Sequence, residues 1–125
     1  MDKSAVESTI QLYFDACYEG SGEKARQAFH PSSHIYGRSP AGELLDSPIE
    51  EFAVRVGSNK NPPMAQGQQR KDEILSIDFS GENTAVTRVR LLIGKTLYTD
   101  ILSLAVIDGR WQIIAKLFSG EAFEG

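Results

Sequence analysis

The segment LYTDILSLAVIDGRWQIIAKLF, Leu97 to Phe118, carries the clearest structural signal of this chain. Asp108-Gly109 separates two runs in which apolar and polar residues alternate. This pattern predicts a β-hairpin with a type I′ turn, because both central residues of that turn need a positive φ. A regular register pairs Asp100 with Leu117 and places Asp100 on an otherwise apolar face. The other members of that face are Leu102, Leu104, Val106, Trp111, Ile113, Ala115 and Leu117.

A second predicted hairpin leads to the same face. Gly94-Lys95 suits a two-residue type II′ turn between strands near 84–93 and 96–107, because glycine tolerates the positive φ of the first central position. The register that follows pairs Asp100 with Val89, so both hairpins place the same residues on one face.

The preceding strand, near 71–79, joins that face only under a condition. A one-residue slip in register moves every side chain to the other face of a sheet. For Leu75, Ile77 and Phe79 to lie on that face, the connection to the next strand must contain an odd number of residues, or the strand must contain a bulge.

The opposite face of the predicted sheet mixes apolar and charged residues. It is too apolar for simple exposure to solvent and too charged for a core. Such a face is typical of a contact between two copies of a chain. We therefore expect a homodimer that covers Arg88, Arg90, Ile101, Ser103, Ile114, Lys116 and Phe118.

The rest of the chain completes the predicted architecture. Apolar spacing and turn residues predict helices near 4–19, 22–29 and 48–56, and further strands near 34–38, 43–46 and 110–118. Ser4 with Glu7, and Ser47 with Glu50, form capping-box patterns at the start of the first and third helices. Helices first and strands last indicate an α+β fold in which a curved antiparallel sheet wraps around three N-terminal helices. A chain of 125 residues fits one domain, 1–125.

Composition argues against several classes of protein. The formal net charge of −4 disfavours a nucleic-acid partner, whose phosphates require a basic surface. No apolar run approaches the length of a membrane span, and the start, MDKSAVEST, lacks the apolar segment of a secretory signal. One cysteine, Cys17, suits a reducing compartment, so we expect a cytoplasmic protein. Because neither a metal-ligand spacing nor a glycine-rich phosphate loop is present, we expect no metal and no cofactor.

The order of elements, the segment FHPSSHIYG at Phe29 to Gly37, and the ending DILSLAVIDGRWQIIAKLF resemble the lumazine-binding-like family. This family is a branch of the nuclear transport factor 2-like (NTF2-like; SnoaL-like, cystatin-like roll) superfamily. The resemblance covers nearly the whole chain and implies a conical α+β roll. It leaves the function open, because the superfamily contains isomerases, cyclases, dehydratases, and non-catalytic binding or assembly modules.

The ketosteroid isomerase pattern of that superfamily aligns without a gap on TIQLYFDACYEGSGEKARQAFHPSSHIYG. The resemblance places Tyr13 on the oxyanion-hole tyrosine and Gly37 on the general-base aspartate. A glycine cannot take up a proton, so the isomerase mechanism requires a base from another position, for which Asp100 and His34 are the candidates.

Asp100 is the strongest candidate that the residues themselves provide. A carboxylate on an apolar face is desolvated, and its pKa rises unless a cation or hydrogen-bond donors compensate. The alternative to a functional role is that Asp100 lies at a solvent-exposed edge of the sheet, or accepts hydrogen bonds from the backbone and Tyr13.

His34, Tyr36 and Arg38 share one side of a short strand, and Ile35 lies on the other. If the three polar residues point inward, they line the mouth of a cavity; if Ile35 points inward, they are solvated. The predicted ligand pocket lies between the first helix and the sheet, and comprises Tyr13, Phe14, Cys17, Tyr36, Phe52, Val56, Leu91, Tyr98, Asp100 and Leu102.

Three functions fit the sequence. The first is a domain that binds a small molecule in a mostly apolar cavity. The second is an enzyme of the isomerase, cyclase or dehydratase kind, with Tyr13 as electrophile and Asp100 or His34 as acid or base. The third is a non-catalytic homodimeric assembly module whose cavity is filled by side chains.

Overall fold

The computed structural model describes residues 2–124, which form three helices and six strands. In chain order these elements are α1 (Lys3–Glu19), α2 (Gly22–Ala28), β1 (Phe29–Arg38), β2 (Leu44–Pro48), α3 (Ile49–Gly57), β3 (Asp72–Phe79), β4 (Thr84–Ile93), β5 (Thr96–Ile107) and β6 (Arg110–Ala122). The strands form one sheet in the order β2-β1-β6-β5-β4-β3. The α+β fold class is therefore confirmed.

One pairing departs from the predicted sheet. β1 runs parallel to β6, whereas the other neighbouring strands are antiparallel, so the sheet is mixed. β1 and β6 lie far apart in the chain, and no turn between them sets their relative direction. Their pairing depends on the placement of the helices over the sheet.

The helix boundaries agree with the spacing, but the caps differ. Asp2, not Ser4, caps α1, because its carboxylate accepts a hydrogen bond from the amide of Ala5 at 3.0 Å. Pro48 precedes α3 in an extended conformation, and no side chain caps that end. The capping box predicted at Ser47 is therefore wrong.

The turns of both predicted hairpins are confirmed. Asp108 and Gly109 have φ values of 52° and 75°, as a type I′ turn requires, and Gly94 has a φ of 62°. β4 and β5 pair in the predicted register, with Asp100 opposite Val89.

The predicted register of β5 and β6 holds only next to the turn. Leu104 lies opposite Ile113, but Ser103 lies opposite Ala115, because Ile114 is an extra residue in β6. Such a β-bulge shifts the pairing of every residue beyond it by one. Asp100 therefore lies opposite Phe118 and not opposite Leu117.

The bulge exchanges the faces of the last residues of β6. Lys116 and Phe118 turn to the inner face of the sheet, which packs against the helices, whereas Leu117 turns outward and is 46% exposed. This corrects the predicted dimer face, from which Lys116 and Phe118 are removed. The residues of that prediction that remain on the outer face are Arg88, Arg90, Ile101, Ser103 and Ile114.

The connection from β3 to β4 meets the register condition for Ile77 and Phe79, but a bulge in β3 makes the prediction wrong for Leu75. Phe79 pairs with Ala85 across a connection of odd length, and a bulge at Leu75 shifts the pairing further along the strand. Ile77 and Phe79 pack against the core as predicted, but Ile74 takes the inward position and Leu75 is 38% exposed.

The core lies between α1 and the inner face of the sheet. Val6, Ile10 and Phe14 of α1 are buried at helical spacing. Thr9 ties the helix to the sheet, because its hydroxyl donates to the carbonyl of Trp111 at 3.1 Å. None of the helices described in residues 2–124 is long and apolar enough to cross a membrane.

Candidate functional site

A tyrosine and an aspartate meet in the middle of the core. Tyr13 lies on the inner side of α1 and is 1% exposed, and Asp100 lies at the centre of β5 and is fully buried. The Tyr13 hydroxyl donates a hydrogen bond to Oδ2 of Asp100. Oδ1 of Asp100 is also buried, and within residues 2–124 it has no hydrogen-bond partner. The pair thus joins a proton donor to a carboxylate that retains one unused acceptor.

Burial controls the ionisation of this pair and of a neighbouring thiol. Desolvation raises the pKa of Asp100, opposed by the positive charge of Lys116 and by the Tyr13 hydrogen bond. Desolvation, followed by the charge of Asp100, raises the pKa of Tyr13 well above its usual range. Burial also raises the pKa of Cys17 to about 11. Tyr13 and Cys17 are therefore protonated at neutral pH.

Lys116 brings a positive charge into the same region. It is 6% exposed, and its Nζ lies 4.3 Å from the ring centroid of Phe52, 4.8 Å from that of Tyr13 and 5.8 Å from that of Phe118. Within residues 2–124, no carboxylate oxygen lies within 4.0 Å of this nitrogen. The ammonium is thus held mainly by the faces of aromatic rings.

A cavity of about 400 Å³ opens beside these residues. Its size lies in the range of small-molecule sites. Apolar and aromatic side chains form most of its wall, and Lys116 and Arg55 contribute two cations. The lining residues are Tyr13, Ile35, Leu45, Asp46, Ser47, Phe52, Arg55, Ile93, Tyr98, Lys116 and Phe118.

The residues of the predicted pocket lie in several environments. Those that line the cavity are Tyr13, Phe52 and Tyr98. Those that line an adjoining depression of about 450 Å³ are Cys17 and Val56. Those that are buried in the core are Phe14, Leu91, Leu102 and Asp100. Asp100 reaches the cavity wall only through its hydrogen bond to Tyr13.

The polar side of β1 faces away from the cavity. Ile35 is 3% exposed and lines the cavity, so His34 and Tyr36 project from the outer face, where their rings stack at 6.0 Å. His34 Nδ1 lies 2.6 Å from Oδ1 of Asp46, and both side chains are about half exposed. This corrects the assignment of Tyr36 to the pocket and places the candidate base His34 outside it. Arg38 is exposed as well.

Gly37 leaves room for an aromatic ring. A Cβ atom at this position would lie 2.5 Å from Cζ of Phe118, which is too close for any real side chain. The ring of Phe118 also packs against Tyr98 at 6.2 Å. Phe118 thus occupies the space next to the position that the isomerase resemblance assigns to the general base.

The sequence left the orientation of Ile35 open. The cavity residues that sequence reasoning missed are Lys116, Phe118, Arg55, Leu45, Asp46, Ser47 and Ile93. The signal for Lys116 and Phe118 was the pair Ile113-Ile114, where two apolar residues in succession break the alternation of β6. Such a break is expected at a bulge, after which inward and outward positions exchange. The region 2–124 contains no group of three or more His, Cys, Asp or Glu residues that could hold a metal ion.

Comparison with known proteins agrees with this architecture. Aldolase FrzH from a Cladobotryum species is 32% identical over 115 residues, which cover 91% of this chain and 87% of that protein. An NTF2-like protein from Shewanella baltica superposes with a TM-score of 0.83 at 22% identity, covering 94% of this chain and 92% of that one.

Two further solved structures share the fold. A domain with a cystatin-like fold from Nostoc punctiforme has a TM-score of 0.72 at 19% identity, covering 94% of this chain and 76% of that one. A ketosteroid isomerase-like protein from Erwinia carotovora has a TM-score of 0.71 at 14% identity and covers 95% of both chains. A family model described as "Putative lumazine-binding" matches residues 1–119. The chain therefore belongs to this lumazine-binding family and has the NTF2-like, cystatin-like fold.

Proposed function

We propose that the cavity is the active site of an enzyme that makes or breaks a carbon–carbon bond next to a carbonyl group, as in an aldol reaction. The observation that carries this proposal is the hydrogen bond between Tyr13, which lines a cavity of small-molecule size, and Asp100, which is buried behind it. The 32% identity to a protein named an aldolase supports it.

The pair has the chemistry to move a proton at the reacting oxygen. In the direction of cleavage, a β-hydroxyl group loses its proton as the carbon–carbon bond breaks, and the bond electrons pass into the neighbouring carbonyl group as an enolate. The β-hydroxyl proton passes to the Tyr13 oxygen, while the Tyr13 proton passes to Asp100. The enolate then takes up a proton at carbon from Tyr13, which is reprotonated by Asp100, so that the second carbonyl product forms and the pair is restored. Bond formation reverses these steps, so that Tyr13 acts as general acid toward the acceptor carbonyl.

The environment of the pair suits this role. The raised pKa of Asp100 makes it a better proton acceptor than an exposed aspartate, and the high pKa of Tyr13 keeps the phenol protonated between turnovers. The apolar walls exclude water, which strengthens a hydrogen bond to an oxygen that gains charge.

The contact of Gly37 with Phe118 argues against the ketosteroid isomerase reaction. That reaction needs a carboxylate base at the position of Gly37, and the ring of Phe118 fills the space there. The other candidate for this base from the sequence, His34, does not line the cavity, and its ring is hydrogen-bonded to Asp46.

A second candidate function is binding without chemistry. The family description, which names lumazine binding, favours it, and a cavity with aromatic walls suits a flat heterocycle. The same experiment separates the two functions, because a binding protein takes up ligands without accelerating any reaction.

The test uses a panel of β-hydroxy ketones and β-hydroxy acids, with aldehyde release followed by proton NMR. We expect cleavage above the uncatalysed rate, and a loss of about 100-fold or more in kcat/KM in Tyr13→Phe, because removal of a general acid–base group typically costs that much. The matched control is Tyr18→Phe, which removes a hydroxyl group from the same helix; Tyr18 bonds to the carbonyl of Gln68. This control should retain the wild-type rate.

Two results would contradict the proposal. If Tyr13→Phe keeps the wild-type rate, the pair is not the proton-transferring group. If the protein binds members of the panel but cleaves none of them, binding without chemistry is the better description.

A further inference from the structure

Lys116 is a buried residue whose ammonium group has no hydrogen-bond or ion-pair partner within residues 2–124. Lys116 is 6% exposed, and none of the hydrogen bonds found in residues 2–124 comes from its Nζ. A buried charge is normally paired, because its removal from water is costly. Rings of Phe52, Tyr13 and Phe118 lie 4.3–5.8 Å from the nitrogen, but a ring face offers less compensation than a carboxylate.

The unpartnered group faces the cavity, where Lys116 forms part of the wall. The bulge at Ile114 is responsible for this orientation, since a regular β6 would turn Lys116 to the outer face. Bulges that redirect a side chain occur frequently next to functional sites. The inward position of Lys116 is thus a consequence of the bulge in β6.

Two cations and two carboxylates lie at or beside the cavity. Arg55 lines the cavity at its exposed side, and no ion pair of Arg55 is found within residues 2–124. Asp46 also lines the cavity, but its carboxylate lies 2.6 Å from Nδ1 of His34, and Asp100 lies behind the cavity wall. Within residues 2–124 neither carboxylate lies within 4.0 Å of the Lys116 ammonium, so an anionic ligand group in the cavity would be its first close partner of opposite charge.

We propose that Lys116 binds a carboxylate of the ligand, so that the substrates of this site are small hydroxy or oxo acids. That the bound ligand is a substrate rests on the proposed function, but the carboxylate-binding role of Lys116 can be tested without turnover. The carboxylate would lie on the cavity side of the ammonium, among the three ring faces, and Arg55 would attract the anion at the entrance.

The experiment compares two probes of the same shape and different charge, benzoate and benzamide. Their dissociation constants are measured by NMR titration on wild-type protein, Lys116→Met and Lys71→Met. Lys71 is a matched control, because it is an exposed lysine whose Nζ lies 5.7 Å from the ring of Phe123. Lys116→Gln serves as a second variant, and circular dichroism verifies that each variant is folded.

We expect wild-type protein and Lys71→Met to bind benzoate at least about tenfold more tightly than benzamide. Lys116→Met and Lys116→Gln should lose this preference and keep the wild-type affinity for benzamide. Equal binding of both probes by wild-type protein, or an undiminished preference in the folded Lys116 variants, would overturn the inference. Reductive trapping of pyruvate on Lys116 by borohydride would overturn it too, because it would show that the side chain acts as a neutral amine.

The outcomes are distinct from those of the aldol experiment. Loss of the benzoate preference together with no cleavage of the panel would support the carboxylate site and refute the proposed reaction. Cleavage that depends on Tyr13, with equal affinity for both probes, would support the reaction and refute the role of Lys116.

Discussion

A double-mutant cycle on Tyr13 and Asp100 tests the energetics of the buried pair. Tyr13→Phe removes the hydroxyl that bonds to Oδ2 of Asp100 and leaves both carboxylate oxygens without a partner in the described chain. A hydrogen bond to a charged group contributes about 1.5–3 kcal/mol, so we expect a loss of that size in the free energy of unfolding at pH 7.

Asp100→Leu should have a smaller effect or even stabilise the fold. It leaves the Tyr13 hydroxyl buried without an acceptor, which costs about 1–3 kcal/mol. It also replaces a desolvated carboxylate by an apolar side chain, whose burial contributes about 1.5–3 kcal/mol. The double variant removes both partners and should be at least as stable as Asp100→Leu. The magnitude of the coupling energy is therefore at least the cost of Tyr13→Phe alone, about 1.5–3 kcal/mol.

The stability of Asp100→Leu relative to wild type should depend on pH. Burial raises the pKa of Asp100 in the folded state, so the folded protein binds this proton more tightly than the unfolded chain. The resulting stabilisation is fully present below the unfolded pKa of about 3.9 and is lost as the pH rises through the higher folded pKa. The leucine variant lacks this titration, so its free energy of unfolding should rise relative to that of wild type as the pH increases from about 4 through the raised pKa of Asp100.

Urea unfolding followed by the fluorescence of Trp111, the single tryptophan, measures these free energies. Asp78→Leu is the control, because Asp78 is an exposed carboxylate of β3. A coupling energy below about 0.5 kcal/mol would refute the reasoning. So would a destabilisation of several kcal/mol by Asp100→Leu, which would show that the carboxylate is structural.

Three further predictions concern other parts of the molecule. Gly37→Ala should lower the free energy of unfolding in urea by about 1–3 kcal/mol, because the new methyl group overlaps the ring of Phe118. Unchanged stability would show that this ring moves freely. Cys17, whose pKa is raised to about 11, should react with iodoacetamide at pH 8 only when urea unfolds the protein. The reaction is followed by intact mass, and rapid alkylation of the folded protein would contradict the burial of Cys17. Ile101 is 39% exposed on the outer face, so wild type should sediment as a dimer at about 100 μM and Ile101→Asp as a monomer; a monomeric wild type would rule out the dimer.

Sequence patterns were sufficient to predict the pairing of β4 with β5 and the inward positions of Tyr13 and Asp100. Turn residues set the register of the strands that they join, so Gly94-Lys95 was sufficient to place Asp100 opposite Val89. Alternation along β5 then assigned Asp100 to the apolar face. Helical spacing placed Tyr13 on the buried side of the first helix. These inferences depend on neighbours in the chain or on one short turn, which is why they hold.

The cations and aromatic rings around that pair could not be predicted before the strands and helices were packed together. The bulge at Ile114 shifts β6 by one residue, and with a period of two this is enough to exchange Lys116 and Leu117 between the faces. Whether a strand bulges depends on packing against its neighbours. Phe52, whose ring lies over Lys116, comes from a helix far away in the chain. A lysine in an alternating strand is normally assigned to solvent, and its burial becomes visible only when these distant elements are packed together.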